Sequence, residues 1–363
     1  MPTKTVYKTS IKNISILDEN GKFDSKLGKD VIPIDDAVRL YEHMMRCRRF
    51  DEVAFKLQRS GRMGTYPQNW GQEAASAGAA YVLDKSKDWL VTPYRENAGL
   101  FWHGLPMEYI LWHWMGDERG NQIPEGLCQT PISIPIGTQP LHAVGFAWAA
   151  KYRKENAVAV TFFGDGASSE GDVHEALNFA TTMKLPMVFC CQNNGWAIST
   201  PLERNVAAEV VAQRGLAYGA HCIQCDGNDI FAVVKVMREA VERARNDFEV
   251  TFVEMVTYRM GDHTTADDAR RYRDSSNLED WEKKDPLRRL RIYLEAEGAW
   301  DDAKQEALEA QAAEHVREVV KTAEGIEAPK TADIFDYTFA ELPQDLIEQR
   351  ERMRTTSIGL GCD

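Results

Sequence analysis

The residues best placed to do chemistry form two short clusters, Gly164-Asp165-Gly166 and Asn193-Asn194, with positions 167–192 between them. Two glycines flanking a carboxylate let backbone approach a ligand closely while the acid points into the same space. The intervening length suits one helix and one strand, which would set both clusters side by side at one edge of a sheet. A helix starting soon after Gly166 offers its first amides to an anion. Hard oxygens from Asp165 and Asn194 beside those amides are what a Mg²⁺-bound diphosphate requires. Three commoner phosphate or nucleophile patterns fail. GxGxxG needs glycine where Ser169 stands, a P-loop needs lysine where Asp172 follows Gly171, and GxSxG needs glycine where Glu170 stands. By itself GDG is more often a plain tight turn; the placement of both clusters at strand ends shifts that balance.

The elements that must hold these clusters alternate. Helix at 144–154, strand at 157–163, helix at 173–183 and strand at 187–192 are followed by helix near 207–215. Strand at 221–225, helix at 230–244 and strand at 251–258 complete the series. This pattern predicts an α/β fold, a parallel sheet flanked by helices, with a C-terminal helical region over 285–323. Ligands of such sheets bind at the carboxyl ends of strands, so the loops after 163, 192 and 258 are the expected site. Upstream, residues 1–34 are expected as an N-terminal arm and a helix capped by Asp35 or Asp36 runs to about Arg59. A helix over 71–83, a strand at 89–91 and an aromatic helix through Trp114 follow. The Gly- and Pro-rich stretch 116–140 reads as a long functional loop, and the charged stretch 262–278 as a mobile one. The domain expectation is 1–34 arm, 35–330 binding domain and 331–363 tail.

Composition excludes several classes. Asp plus Glu at 56 against Lys plus Arg at 43 gives a net charge of −13, which disfavours nucleic acid and anionic lipid. No apolar run is long enough to span a membrane and the N-terminus lacks a signal-peptide core, so the expected location is the cytoplasm. Seven cysteines without such a signal do not suggest a disulfide framework, and Cys190 and Cys191 read as core. His221, Cys222 and Cys225 have a faint zinc-like spacing that a buried strand explains better. His43 and His315 are expected on exposed helix faces. His103 and His113 read as packing or channel lining, with His103 able to approach the site.

With these clusters goes a set of longer motifs: GQEAASAG (71–78), PYREN (93–97), WHGLP (102–106), GNQIPEG (120–126), IGTQ (136–139), GDGASSEGD (164–172), QNNGWAISTP (192–201) and YRMGDHTTADDARRYR (258–273). Over about 35–350 the chain resembles the alpha subunits of thiamine diphosphate-dependent 2-oxo acid dehydrogenases. Within that family WHGLP, GNQIPEG and KKDPLRRLRIYLEAEG are most similar to the pyruvate-specific bacterial branch, with the branched-chain (2-oxoisovalerate) branch as the alternative. The resemblance implies the thiamine diphosphate-binding fold, oxidative decarboxylation of pyruvate, and reductive acetylation of a lipoyl group on the acyltransferase component. It also implies a beta subunit carrying the pyrimidine-binding domain, in an α₂β₂ heterotetramer.

Carried over residue by residue, the resemblance assigns Mg²⁺ to Asp165, Asn194 and the Trp196 carbonyl. Tyr94 and Arg95 would grip the diphosphate, with Gly164, Gly166, Ala167, Gln192 and Ala197 against the cofactor, and the backbones of Ile134 and Ile136 against its aminopyrimidine. Gln192 replaces an arginine of the branched-chain enzymes, which favours the pyruvate reading. Ser133, Pro135, Thr138 and Gln139 match a K⁺ site of the branched-chain relatives. His263 matches the active-site histidine, which would also contact cofactor, and Arg259 a neighbouring catalytic residue. Histidine can exchange a proton near neutral pH and arginine can hold a carboxylate or phosphate. Thr264 and Thr265 stand where animal relatives carry regulatory serines. The reading of another class is a non-catalytic scaffold subunit, which loss of Asp165, Asn194, Tyr94, Arg95 or His263 would have favoured. A free-standing decarboxylase would need the pyrimidine-binding domain as well.

Overall fold

The structure, a computed structural model, describes residues 3–328 and 330–357. In chain order the main elements begin with β1 (Asn13–Ile14), α1 (Ile34–Arg59), α2 (Glu73–Tyr81), β2 (Trp89–Val91), α3 (Asn97–His103) and α4 (Met107–Met115). They continue with α5 (Gln139–Arg153), β3 (Ala159–Gly164), α6 (Gly171–Thr182), β4 (Met187–Asn193), the ribbon β5 (Trp196–Ala197) and β6 (Thr200–Pro201), and β7 (His221–Asp226). The last are α7 (Ile230–Asp247), β8 (Thr251–Val256), α8 (Pro286–Ala296), α9 (Asp302–Glu324) and α10 (Gln344–Ser357). Compact units span 1–320 and 321–363. Within the second, Arg350 pairs with Asp336 at 2.5 Å. Among the described residues no helix is long and apolar enough to cross a membrane.

The main sheet has the order β1-β7-β8-β4-β3-β2, with every neighbouring pair parallel. Strands covered on both faces lose the alternation of a half-exposed strand and become continuously apolar. That is the character of β3 (AVTFFG) and β4 (MVFCCQN), the second buried at all seven positions. On one face α5 and α6 supply Ala143, Ala147, Ala176, Leu177 and Ala180 against Phe163, Phe189 and Phe252. On the other, Cys190 reaches Met237 of α7. Small residues bring the helices beyond close together. A Cβ on Gly78 of α2 would stand 2.8 Å from Val233 Cγ1, and one on Gly99 of α3 2.9 Å from the Ser76 carbonyl oxygen.

Several boundaries depart from expectation, each for a local reason. α1 starts at Ile34 behind Pro33 without a side-chain cap. Asp36 is engaged instead with Arg39 and the Tyr81 hydroxyl. The aromatic helix is two helices, because Gly104 at φ +120° and Pro106 interrupt it. α5 begins five residues earlier than the apolar pattern suggested, with Pro140 in its first turn, where the missing N–H costs nothing. The helix expected near 207–215 reduces to single turns at Leu202–Asn205 and Gln213–Leu216. The charged run 285–323 divides at Gly298 into α8 and α9. β1, inside the expected arm, is an edge strand on β7, and Asp229 Oδ2 fastens the chain beyond it by accepting from the Ile16 and Leu17 amides at 2.6 and 2.7 Å. Cys222 and Cys225, three apart on β7, face opposite sides of the sheet and are buried. His43 is not on an exposed face. Its ring meets the Ala98 carbonyl at 2.7 Å and the edge of Trp102, and burial pushes it down to about 4.

The tight α2–α3 crossing gives a direct test. Gly99→Ala should lower stability by about 1–3 kcal/mol, because its methyl meets backbone that cannot rotate away. A shifted urea midpoint with unchanged slope would show it; an unchanged midpoint would mean that the helices separate freely.

Candidate active site

In β3 and β4 the register pairs Gly164 with Gln192, and in β4 and β8 it pairs Asn193 with Val256. Three strands therefore end together, and the residues after each converge. The cavity they enclose measures about 340 Å³ and is lined after β2 by Tyr94, Arg95 and Glu96. Gly164–Ala167 follow β3, Gln192, Asn194, Trp196 and Ala197 follow β4, and Arg259 and His263 follow β8, while Ile136 reaches it from the 116–140 loop. Of the residues expected to touch thiamine diphosphate or Mg²⁺, Ile134 is the one this wall lacks; it borders a neighbouring cavity with Ser133 and Pro135 of the expected K⁺ set and with His142. His103 also stays outside, buried with its Nε2 at 3.2 Å from the Cys128 carbonyl.

Asp165 is 1% exposed. Its Oδ1 accepts from the Asn194 amide at 3.3 Å, while Oδ2 has no hydrogen-bond partner among the described residues. Burial, only partly offset by the backbone bonds, raises its carboxyl to about 6. Asn193 and Asn194 have separate jobs. Asn193 turns into the fold, donating to Glu254 at 2.8 Å, whereas Asn194 lines the cavity. Asn194 Oδ1 accepts from the Trp196 amide and its Nδ2 donates to Gln72, both at 3.2 Å. Gly195 permits this turn at φ +81°. At Gly166 a Cβ would stand 2.6 Å from that of Ala197, so glycine is what allows β5 to close over the β3 turn.

The cationic side is equally crowded. Arg95 donates to the Gln68 and His263 carbonyl oxygens, and its Nη2 lies 3.3 Å from His263 Nδ1. Arg259, 1% exposed, donates to the Ile198 carbonyl at 2.7 Å and the Tyr272 hydroxyl at 2.8 Å, with Nη1 3.5 Å from the same Nδ1. Burial and Arg95 push Arg259 down to about 10, still charged at neutral pH. Burial first, then Arg95 and Arg259, lower His263 to about 4. His263 is thus neutral at physiological pH, with Nδ1 turned to donors as an acceptor and the proton on Nε2.

The 262–278 segment is tied down. Thr265 is buried and exchanges two 3.0 Å bonds with the Tyr66 backbone. Asp267 accepts from the His263 amide and the Tyr272 hydroxyl, and Arg273 caps the carbonyls of Arg259, Met260 and Gly261. Periodicity could not reveal this, since the anchors are polar. Among the cavity residues that the sequence did not single out are Gln72 and Glu96. Both lie inside the motifs GQEAASAG and PYREN, and the available signal for Glu96 was a carboxylate directly after Arg95.

A family model described as the dehydrogenase E1 component matches residues 41–332. Relatives from Staphylococcus aureus and Staphylococcus epidermidis, named pyruvate dehydrogenase E1 component subunit alpha, are each 39% identical to the chain over 348 residues. Those residues are 95% of this chain and 93% of theirs.

If the arginine pair holds His263 neutral, its carbethoxylation, followed by peptide mass spectrometry, should stay constant from about pH 8 down to about pH 5. Arg95→Gln should shift the midpoint upward from about 4 toward the ordinary 6.5. An identical profile in both proteins would remove the arginine as a cause.

Proposed function

The chain belongs to the dehydrogenase E1 component family, and from that membership we propose that it is the alpha subunit of a thiamine diphosphate-dependent pyruvate dehydrogenase. In this reading it decarboxylates pyruvate and transfers the acetyl group to a lipoyl arm of an acyltransferase component. The observation that carries the reading is Asp165 Oδ2, which has no partner among the described residues and lies in a wall that also presents Asn194 and Trp196. Hard oxygens at the end of parallel strands, beside the helical turn Ala167–Ser169, fit Mg²⁺ and a diphosphate.

When bound, thiamine diphosphate supplies the carbon nucleophile and the electron sink for the charge left as carbon dioxide departs. The chain's part is to bind, orient and handle protons. Asp165, the Asn194 side-chain oxygen and the Trp196 carbonyl hold Mg²⁺. Tyr94 and Arg95 hold diphosphate, with Gly164, Gly166, Ala167, Gln192 and Ala197 around it and Ile134 and Ile136 toward the aminopyrimidine. Neutral His263, with its proton on Nε2, can donate a hydrogen bond to a developing oxyanion, and Arg259 can stabilise negative charge without giving up its proton. Arg95 and Arg259 present positive charge to an anionic 2-oxo acid and cofactor. The reading also places a structural K⁺ at Ser133, Pro135, Thr138 and Gln139. There the Ser133 and Pro135 carbonyls converge on the Gln139 Nε2 donor at 2.7 and 3.1 Å.

The described residues form one parallel sheet, and the reading includes a beta subunit, in an α₂β₂ assembly, to complete the cofactor site. Ile134, Ile136 and Ile198, near or at the cavity, are 49%, 48% and 56% exposed, consistent with cover by another chain. It further takes 35–330 as the cofactor-binding domain between an arm (1–34) and a tail (331–363), and the cytoplasm as the location.

Co-expression with the candidate beta subunit, followed by decarboxylation assays with an artificial electron acceptor, tests this. Pyruvate turnover should need both chains, thiamine diphosphate and Mg²⁺, and Asp165→Ala should weaken metal-dependent cofactor binding by about 100-fold or more. Preference for 2-oxoisovalerate would retain the machinery and change the substrate, since pocket methylenes are worth only about 1–3 kcal/mol. An assembled complex that binds no cofactor would overturn the reading in favour of a scaffold subunit.

A further inference from the structure

Glu96 has no part in the machinery so far, yet it is 2% exposed and lines the cavity. Among the described residues it forms no ion pair. Both its oxygens accept hydrogen bonds, Oε1 from Gln192 Nε2 at 2.5 Å and Oε2 from the Arg95 amide at 2.9 Å. Gln192, 2% exposed, thereby commits one amide N–H to Glu96, and its own Oε1 has no partner among the described residues. The wall that receives a diphosphate then carries an orphaned acceptor backed by a carboxylate, both of the wrong polarity for an anion.

A proton reverses this arrangement. A protonated Glu96 donates to Gln192 Oε1 once the amide turns over, which satisfies the orphan and frees the Gln192 NH₂ as a donor. The backbone bond from Arg95 is kept, because the second carboxyl oxygen still accepts. We infer that Glu96 is a positioning residue that takes up one proton from solvent when a diphosphate enters the cavity, turning the Gln192 amide from acceptor to donor. The inference rests on the diphosphate reading of the site.

The surroundings favour the exchange. Burial outweighs both hydrogen bonds and the Arg95 charge, so the Glu96 carboxyl lies at about 7. The other titratable groups that feel it are Tyr94 and Cys190, each raised by burial and neutral at pH 7. Arg95 is therefore its one charged neighbour of consequence, and it already serves His263 and Gln68. An arriving diphosphate adds negative charge beside a buried carboxylate, which favours the neutral acid further.

Calorimetric titration of thiamine diphosphate with Mg²⁺ into the assembled two-chain complex, in buffers of different ionisation enthalpy, counts the protons exchanged. Subtracting Glu96→Gln, a neutral side chain that can donate to Gln192 Oε1, removes contributions from the cofactor and Asp165. The difference should rise from near zero at about pH 6 toward one proton at about pH 8. Over the same range wild-type affinity should weaken by up to about tenfold per pH unit relative to Glu96→Gln. A second measurement needs no variant: at pH 8 difference infrared spectra should gain a protonated-carboxyl band on binding, whereas metal capture by Asp165 alone can only lose one. Equal proton counts, parallel affinity profiles or no gained band would overturn the inference while leaving the cofactor reading intact. No binding at all would overturn both.

Discussion

Everything in the candidate site depends on the parallel register of β3 and β4. Pairing Gly164 with Gln192 delivers Asp165 and Asn194 to the same level of the sheet, so that the Asn194 amide meets Asp165 Oδ1. A one-residue slip of either strand would turn that strand's side chains to the opposite face, against the close packing of the helices on both sides. The apolar bulk of α5, α6 and α7 thus does more than stabilise. It fixes which oxygen atoms face the cavity, and it excludes bulk solvent from around Asp165 Oδ2.

That exclusion sets the electrostatics. Carboxyls at Asp165 and Glu96 are raised to about 6 and about 7, Arg259 is lowered to about 10, and His263 is lowered to about 4. Each shift has burial as its largest cause. Such a cavity favours a ligand that brings its own opposite charges, a cation for Asp165 and anionic oxygens for the arginines. A magnesium diphosphate is a ligand of that kind, whereas a neutral metabolite would leave both sets unsatisfied. The same mixture explains why the histidine is neutral, since two guanidiniums face its Nδ1.

The parts of this arrangement legible in the sequence are those written in local patterns. β3, β4, β7 and β8 stand out as apolar runs bounded by turns. The two strand-end clusters, with the longer motifs, single out Tyr94, Arg95, Asp165, Asn194, Arg259 and His263, which all reach one cavity. The parts that were not legible depend on contacts between distant residues. Glu96 matters through Gln192, 96 positions away, and the loop over 262–278 is held by Tyr66, Arg95 and, through Tyr272, by Arg259. Its polar composition reads as mobility because hydrogen-bonded anchors leave no hydrophobic period. Likewise Asp35 and Asp36 resemble helix caps, but cap geometry depends on a backbone turn that Pro33 pre-empts.

A polar hub shows how these distant pieces are kept in step. Asp51 of α1 accepts from the Tyr66 hydroxyl and the Asn69 amide, each at 2.8 Å. Asn69 accepts the Asn97 amide at 2.9 Å, and Asn97 donates back to the Tyr66 hydroxyl at 3.0 Å. From this ring one path leads through Asn97 to Glu96 and Arg95, and another through the Tyr66 backbone to Thr265 and the loop bearing His263. The cationic wall and the histidine loop therefore share one anchor on α1, outside the sheet that positions Asp165 and Asn194. Asp51 is itself fully enclosed and raised to about 6 by burial, with one oxygen unpartnered. Leaving such a group in the core is unfavourable locally. What it secures is the position of the chain on both sides of His263 Nδ1, where displacement of about 1 Å would lose its alignment with Arg95 and Arg259.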